Sequence, residues 1–233
     1  MGIDPHHLDF LGRPIEWVFT RRTIYLRQNT HSEDPRSKGH STCTASKAAG
    51  RIFGTSKSAT LVIVKMSDFK RDSVAGVLGT IFNHIVAHRR QRRSVVNVSW
   101  GSSKPMTGPL PPEWQLFLDR CRDLESISVP IFTAASNFAL EPDHYRGSTR
   151  REIDTVPALF YKQLSNLYTI GNCDNHGRRN AKSQDDTTNY IEQIHAPGDN
   201  VACPVPGHYW GASFGESARS RSSHLRFYLD FTY

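Results

Sequence analysis

A histidine, an asparagine and a serine stand in that order along the chain, each in a short run of small residues. His40 lies in Gly39-His40-Ser41-Thr42, which leads into Ala45-Ser46-Lys47-Ala48-Ala49-Gly50. Asn137 closes Ala134-Ala135-Ser136-Asn137, and Ser213 sits in Gly211-Ala212-Ser213-Phe214. An imidazole base, an amide donor and a hydroxyl nucleophile are the parts of an acyl-transfer site. Singly, each signal is weak. The chain has 11 histidines, most of which serve as solvated or structural groups, and Asn137 could equally cap a strand end. Their joint order carries the reading.

Such residues must be held by a rigid frame, and the middle of the chain supplies one. Ala59 to Met66 is a short, nearly continuous apolar run, as a strand buried on both faces requires. Val74, Val77, Leu78, Ile81, Phe82 and Ile85 then recur at helical spacing, predicting a helix over about residues 70–90. Val95 to Trp100 is the next strand, broken by Gly101. Pro111-Pro112 suits a helix start, with Trp114, Phe117, Leu118, Cys121 and Leu124 as its apolar face. Val129 to Ala135, Leu167 to Ile170 and Ile191 to His195 read as further strands, the last stopped by Pro197-Gly198. Strands alternating with long helices predict an α/β fold, a doubly wound and mostly parallel sheet with helices on both faces. In such sheets sites collect at the carboxyl ends of strands, where Ser99-Trp100-Gly101 and Ala135-Ser136-Asn137 both fall. Phe138 to Thr155 is aperiodic and polar and reads as a surface excursion. Gly215 to His224 is almost wholly polar.

Bulk composition limits the classes. At 233 residues with 37% hydrophobic and 10% aromatic content, the chain suits one sizeable globular domain. No run approaches 18 apolar residues, which excludes a membrane-spanning helix, and Met1 to Phe10 has no leader pattern. The net charge of +7 concentrates in His88-Arg89-Arg90-Gln91-Arg92-Arg93, read as the polar end of a helix. No nucleic-acid-binding fold accompanies it. Four cysteines, Cys43, Cys121, Cys173 and Cys203, have spacing unlike a zinc site, and their pairing is open.

With these residues in order, the chain resembles the subtilisin-like serine peptidases, nearest to divergent fungal members. That family carries its base in His-Gly-Thr, and His40-Ser41-Thr42 matches with serine for glycine. Ser99-Trp100-Gly101 resembles the Ser-Leu-Gly that lines the substrate cleft. Ala134-Ala135-Ser136-Asn137 resembles the Ala-Ala-Gly-Asn that supplies the oxyanion amide. Gly211-Ala212-Ser213-Phe214 resembles the nucleophile motif, with alanine for threonine. Ile170-Gly171 with Gly177, and Ala196-Pro197-Gly198, match intervening landmarks. The resemblance covers Gly2 to Phe214. It implies Ser213 as nucleophile, His40 as base and Asn137 as oxyanion donor. Ser99, Trp100, Gly101, Ala135 and Ser136 are then the substrate-binding residues.

Two departures qualify the expectation. The family's aspartate sits in Asp-Thr-Gly at the end of its first core strand. Gly2-Ile3, His7 and Phe10 fit the residues after it, so Met1 stands at the threonine position and the aspartate would precede it. Asp4 and Asp9 lie beyond that strand end. After Phe214 the family continues into an apolar helix, which Gly215-Glu216-Ser217-Ala218-Arg219-Ser220-Arg221 cannot form. The expectation is therefore one subtilisin-like domain over residues 1–233, incomplete at both ends. Its first core strand is missing and residues 215–233 form a divergent tail.

The function expected is serine-type endopeptidase hydrolysis of peptide bonds, impaired by loss of the triad aspartate. The alternative is a pseudo-peptidase that binds peptides without cleaving them. A cysteine hydrolase using Cys43 beside His40 is a third reading, against which Cys43 packs as a small buried hydrophobe. The expected partner is a protein or peptide substrate of a monomeric chain, with neither nucleic acid nor membrane. The reading assigns no cofactor: the resemblance allows calcium, but no acidic cluster is assignable to it. Secretion or a vacuolar location is expected from the resemblance alone.

Overall fold

The computed structural model describes residues 3–20, 39–65, 71–102, 105–143, 147–186, 193–198, 201–204, 212–213 and 226–230. Among these, seven strands form one sheet in the order β1-β2-β11-β3-β4-β7-β8. They are β1 (Ile15–Phe19), β2 (Thr60–Lys65), β3 (Ser94–Val98), β4 (Ile131–Ala134), β7 (Leu167–Cys173), β8 (Gln193–Pro197) and β11 (Arg226–Asp230). Two small hairpins stand apart, one of β5 (Pro142–Asp143) with β6 (Ser148–Thr149) and one of β9 (Cys203–Pro204) with β10 (Ala212–Ser213). Three helices accompany them: α1 (His40–Ala49), α2 (Arg71–Ala87) and α3 (Pro112–Ser126).

The apolar strands and periodic helices of the middle segment fall where their patterns require. Every residue of β2 is buried, because the sheet is covered on both faces. Successive side chains of β2 enter opposite layers. Val62 and Val64 pack with Leu78, Ile81 and Ile85 of α2 and with Phe117 and Leu118 of α3. Leu61 and Ile63 pack instead with Ala45 and Ala49 of α1. The sheet is therefore doubly wound, with α2 and α3 on one face and α1 on the other. Parallel pairing joins β1 to β2, β3 to β4, β4 to β7 and β7 to β8.

Two strands of the seven-stranded sheet lie outside the sequence expectation. β1 extends the sheet edge beyond β2; its Ile-Glu-Trp-Val-Phe stretch is only half-buried, and its apolar run, Trp17 to Phe19, is only three residues long. β11 lies between β2 and β3, antiparallel to both. Phe227 pairs in register with Ile63 and Asn97, Leu229 with Leu61 and Val95. There β11 satisfies the facing backbone groups of both neighbours. Part of the expected tail belongs to the fold. The polar stretch Gly215 to His224 lies outside the described residues.

The segment from Phe138 to Thr155 is also more than a surface excursion. It holds the β5–β6 hairpin and buries Arg150, Ile153 and Thr155. The basic run after α2 forms turns, with Arg89 and Arg92 at positive φ and Arg90 in a two-pronged ion pair with Glu16 of β1, at 2.6 and 2.7 Å.

Candidate active site

α1 begins on His40, directly after Gly39 in the left-handed region (φ 83°, ψ 0°), which glycine enters without a Cβ clash. Ser41, Thr42, Ala45, Ser46 and Ala49 form the buried side of the helix, and their small size brings it close to the sheet. His40 itself is half-buried at the helix start. Burial holds its imidazole below the usual pKa of 6.5, since the charged form loses its hydration.

An orienting carboxylate for His40 is not supplied by Asp9. That side chain is fully buried and accepts hydrogen bonds from the Ser46 hydroxyl and from the backbone amides of Ile52 and Phe53. Ser46 lies six residues beyond His40, about 9 Å along the helix axis. Asp4 turns its carboxylate back to the His6 amide at 3.1 Å, while its own amide donates to the Thr42 hydroxyl at 3.0 Å. In β11, Asp230 pairs with Thr60 and Ser94 at the amino edge of the sheet, whereas Arg226 pairs with Val98 at the carboxyl edge.

At that carboxyl edge two of the sequence motifs converge on one cleft of about 390 Å³. Ser99, Trp100, Gly101 and Ser102 line one side, with Ala134, Ser136, Asn137 and Phe138 opposite. Trp100 is wedged against Trp114 and Phe117 of α3, with ring centroids 5.8 Å away in both cases. Gly101 is required by close approach: a Cβ there would lie 2.7 Å from the Val156 carbonyl oxygen. Ser136 has φ 90°, in the region that disfavours a side chain, and its buried hydroxyl has no hydrogen-bond partner among the described residues. Asn137 follows it, exposed at the cleft. Ala135 does not line the cleft. It is buried in the main core, its amide bonded to the Ile170 carbonyl at 2.9 Å, and Ala134 lines the cleft in its place.

The rest of the cleft comes from residues that the sequence did not mark: Glu141, Thr155, Val156, Pro157 and Ala158. Behind them lies Arg150, whose side chain is 4% exposed. It pairs with both oxygens of Asp154 at 2.7 and 2.9 Å and with Glu141 at 3.0 Å, and its guanidinium lies 4.8 Å from the centre of the Phe138 ring. These carboxylates hold its pKa above the usual value, the Asp154 hydrogen bonds first. Gln184 donates to the Arg150 carbonyl and to Asp154, and its amide donates to the Ser136 carbonyl. No periodicity could have marked this cluster, because its members become neighbours only through folding.

Ser213 lies in β10 directly opposite Cys203 of β9, and β9 packs beside α1. The backbone thus brings the ladder carrying Ser213 to the helix that opens with His40. Gly211 and Phe214 of the same motif lie outside the described residues. Cys43 is disulfide-bonded, so it is neither a nucleophile nor simple packing, while Cys121 and Cys173 are buried free thiols. Among the described residues no group of three or more histidine, cysteine or acidic side chains is placed to hold a metal, and no helix is long and apolar enough to cross a membrane.

Residues 1–227 match the subtilase family of peptidases. The chain belongs to that family. Subtilisin-like protease 4 of Trichophyton equinum is 26% identical over 228 residues, 95% of this chain and 48% of that protein. Subtilisin-like protease 5 of Arthroderma gypseum is 32% identical over 106 residues, 44% of this chain and 24% of that protein. This subtilase chain spans half or less of the length of these relatives. The fold agrees. The protease domain of PatA in its S218A form superposes with a TM-score of 0.64 at 18% identity, covering 88% of this chain and 67% of that one. The PatG macrocyclase domain superposes with a TM-score of 0.61 at 15% identity, covering 93% and 69%.

Proposed function

We propose that the chain acts on peptides as a serine endopeptidase of the subtilase type. The convergence of Ser99–Gly101 and Ala134–Asn137 on one cleft at the carboxyl edge of the sheet carries this reading. An extended peptide pairs along Ser99 to Gly101 as an added strand, with one side chain in the cleft beside Trp100. Ser213 attacks the scissile carbonyl carbon, and His40 takes the hydroxyl proton and returns it to the leaving amine. The Asn137 side chain and the Ser213 amide hold the oxyanion. One such donor is worth about 10²–10³ in rate, a magnitude established in subtilisin, a member of this family.

A second reading, a peptide-binding pseudo-peptidase, is favoured by the surroundings of His40. Burial lowers its pKa, and Asp9, the buried acid hydrogen-bonded to the same helix, is committed to Ser46 and two amides. A base without its orienting acid loses about 10⁴ in rate. A serine-directed fluorophosphonate separates the readings. Stoichiometric labelling that disappears in Ser213→Ala supports the peptidase; peptide binding by calorimetry with no labelling supports the pseudo-peptidase.

A further inference from the structure

The chain contains four cysteines. Cys121 and Cys173 are free and buried, and burial raises the Cys121 thiol far above its usual range, which makes it inert toward exchange. Cys43 is in a disulfide, and Cys203 is the one cysteine left to join it. The backbone agrees with that elimination, because α1 and β9 are neighbours. We infer that a Cys43–Cys203 disulfide staples the helix of the proposed base to the strand ladder of the proposed nucleophile.

The two ends of the staple explain its effect. Cys43 stands three residues after His40, one turn along α1 and on a neighbouring side of the helix. Cys203 is the register partner of Ser213, and such antiparallel partners have Cα atoms about 4.5–5.5 Å apart. A disulfide holds its own Cα pair at roughly 4.4–6.8 Å. His40 and Ser213 are thereby joined through three short, stiff links, although well over a hundred residues of chain separate them. β9 and β10 are two residues each and lie outside the main sheet. The site is assembled in oxidising surroundings and loosens in reducing ones, where dithiothreitol converts the bond to two thiols and itself closes to a cyclic disulfide.

The positional role rests on the peptidase reading; the bond does not. The first measurement is peptide mapping of the full chain, alkylated without reduction. One linked peptide containing Cys43 and Cys203, with Cys121 and Cys173 alkylated, supports the inference; alkylation of Cys43 and Cys203, or linkage of Cys43 elsewhere, overturns it. The second is amide hydrogen exchange before and after dithiothreitol, and in Cys203→Ser. Faster exchange, by tenfold or more, over residues 40–49 and 203–213 with Leu167–Cys173 unchanged supports the staple, and equal exchange in both states overturns it. Fluorophosphonate labelling that slows at least tenfold on reduction supports the role in positioning. If Ser213 labels in neither state the peptidase reading fails, and mapping and exchange still decide the staple.

Discussion

The Asp9 carboxylate accepts the Ser46 hydroxyl and is thereby fastened to the helix that opens with His40, at the wrong end for it to orient the imidazole. It serves the framework instead. Besides Ser46 it caps the amides of Ile52 and Phe53, and its backbone carbonyl accepts from Arg51 at 2.7 Å. Gly50 is required beside it, since a Cβ there would lie 1.9 Å from the carboxylate. Asp9→Ala should destabilise the chain by roughly 2–4 kcal/mol, because the buried Ser46 hydroxyl and two part-buried amides lose a charged acceptor. Urea denaturation checks this, and an unchanged midpoint would show that the cap is unimportant.

Ser136 holds a left-handed backbone conformation, φ 90°, directly before Asn137. Its hydroxyl is buried without a partner among the described residues. Ser136→Gly should therefore stabilise the chain by about 1 kcal/mol. The thermal midpoint is the measurement; a lower midpoint would mean that the hydroxyl is bonded after all.

Arg150 ties the Glu141 and Phe138 side of the cleft to Asp154. Arg150→Met should cost about 2–4 kcal/mol, somewhat below the ~3–5 kcal/mol of a fully buried pair, because Glu141 keeps half its side chain in solvent. Peptide affinity should fall together with stability, as followed by calorimetry and chemical denaturation. Arg150→Lys should recover only part of both, since lysine cannot make the two-pronged bond to Asp154.

The lowered pKa of His40 sets a sign for pH dependence. Its folded value lies below the ordinary 6.5, so between the two values the unfolded chain binds the extra proton. Its contribution is complete above about pH 6.5 and is lost progressively as pH falls toward the folded value. His84 is lowered for the same leading cause, burial, and acts in the same direction. His40→Gln should shrink the drop in thermal midpoint between pH 7.5 and pH 5. A drop of equal size would place His40 in contact with solvent.

β11 makes a prediction about the end of the chain. Deleting residues 226–233 removes the strand between β2 and β3 and leaves both with unpaired backbone groups in the centre of the sheet. The cost should be comparable with the ~5–15 kcal/mol that holds a whole domain together. The shortened chain should lose its cooperative thermal transition by circular dichroism. A retained transition at the same midpoint would show that β11 is dispensable.

The family and the parallel sheet were legible in the sequence because they depend on local patterns. β2 is a continuous apolar run, α2 and α3 carry 3.6-residue stripes, and the motifs lie at strand ends where a parallel sheet gathers its sites. Other features needed the folded chain. Ala134, and not Ala135, faces the cleft because the strand's alternation turns Ala135 into the core. Arg150 is buried because Asp154, Glu141 and Phe138 meet around it, and no periodicity encodes such a meeting. Asp9 became a helix anchor because its place relative to Ser46 is set by packing. β11 is a strand only because β2 and β3 present it with two rows of backbone donors and acceptors. Local pattern decides the central strands and helices; long-range contact decides the strands added to them and which side chains share a site.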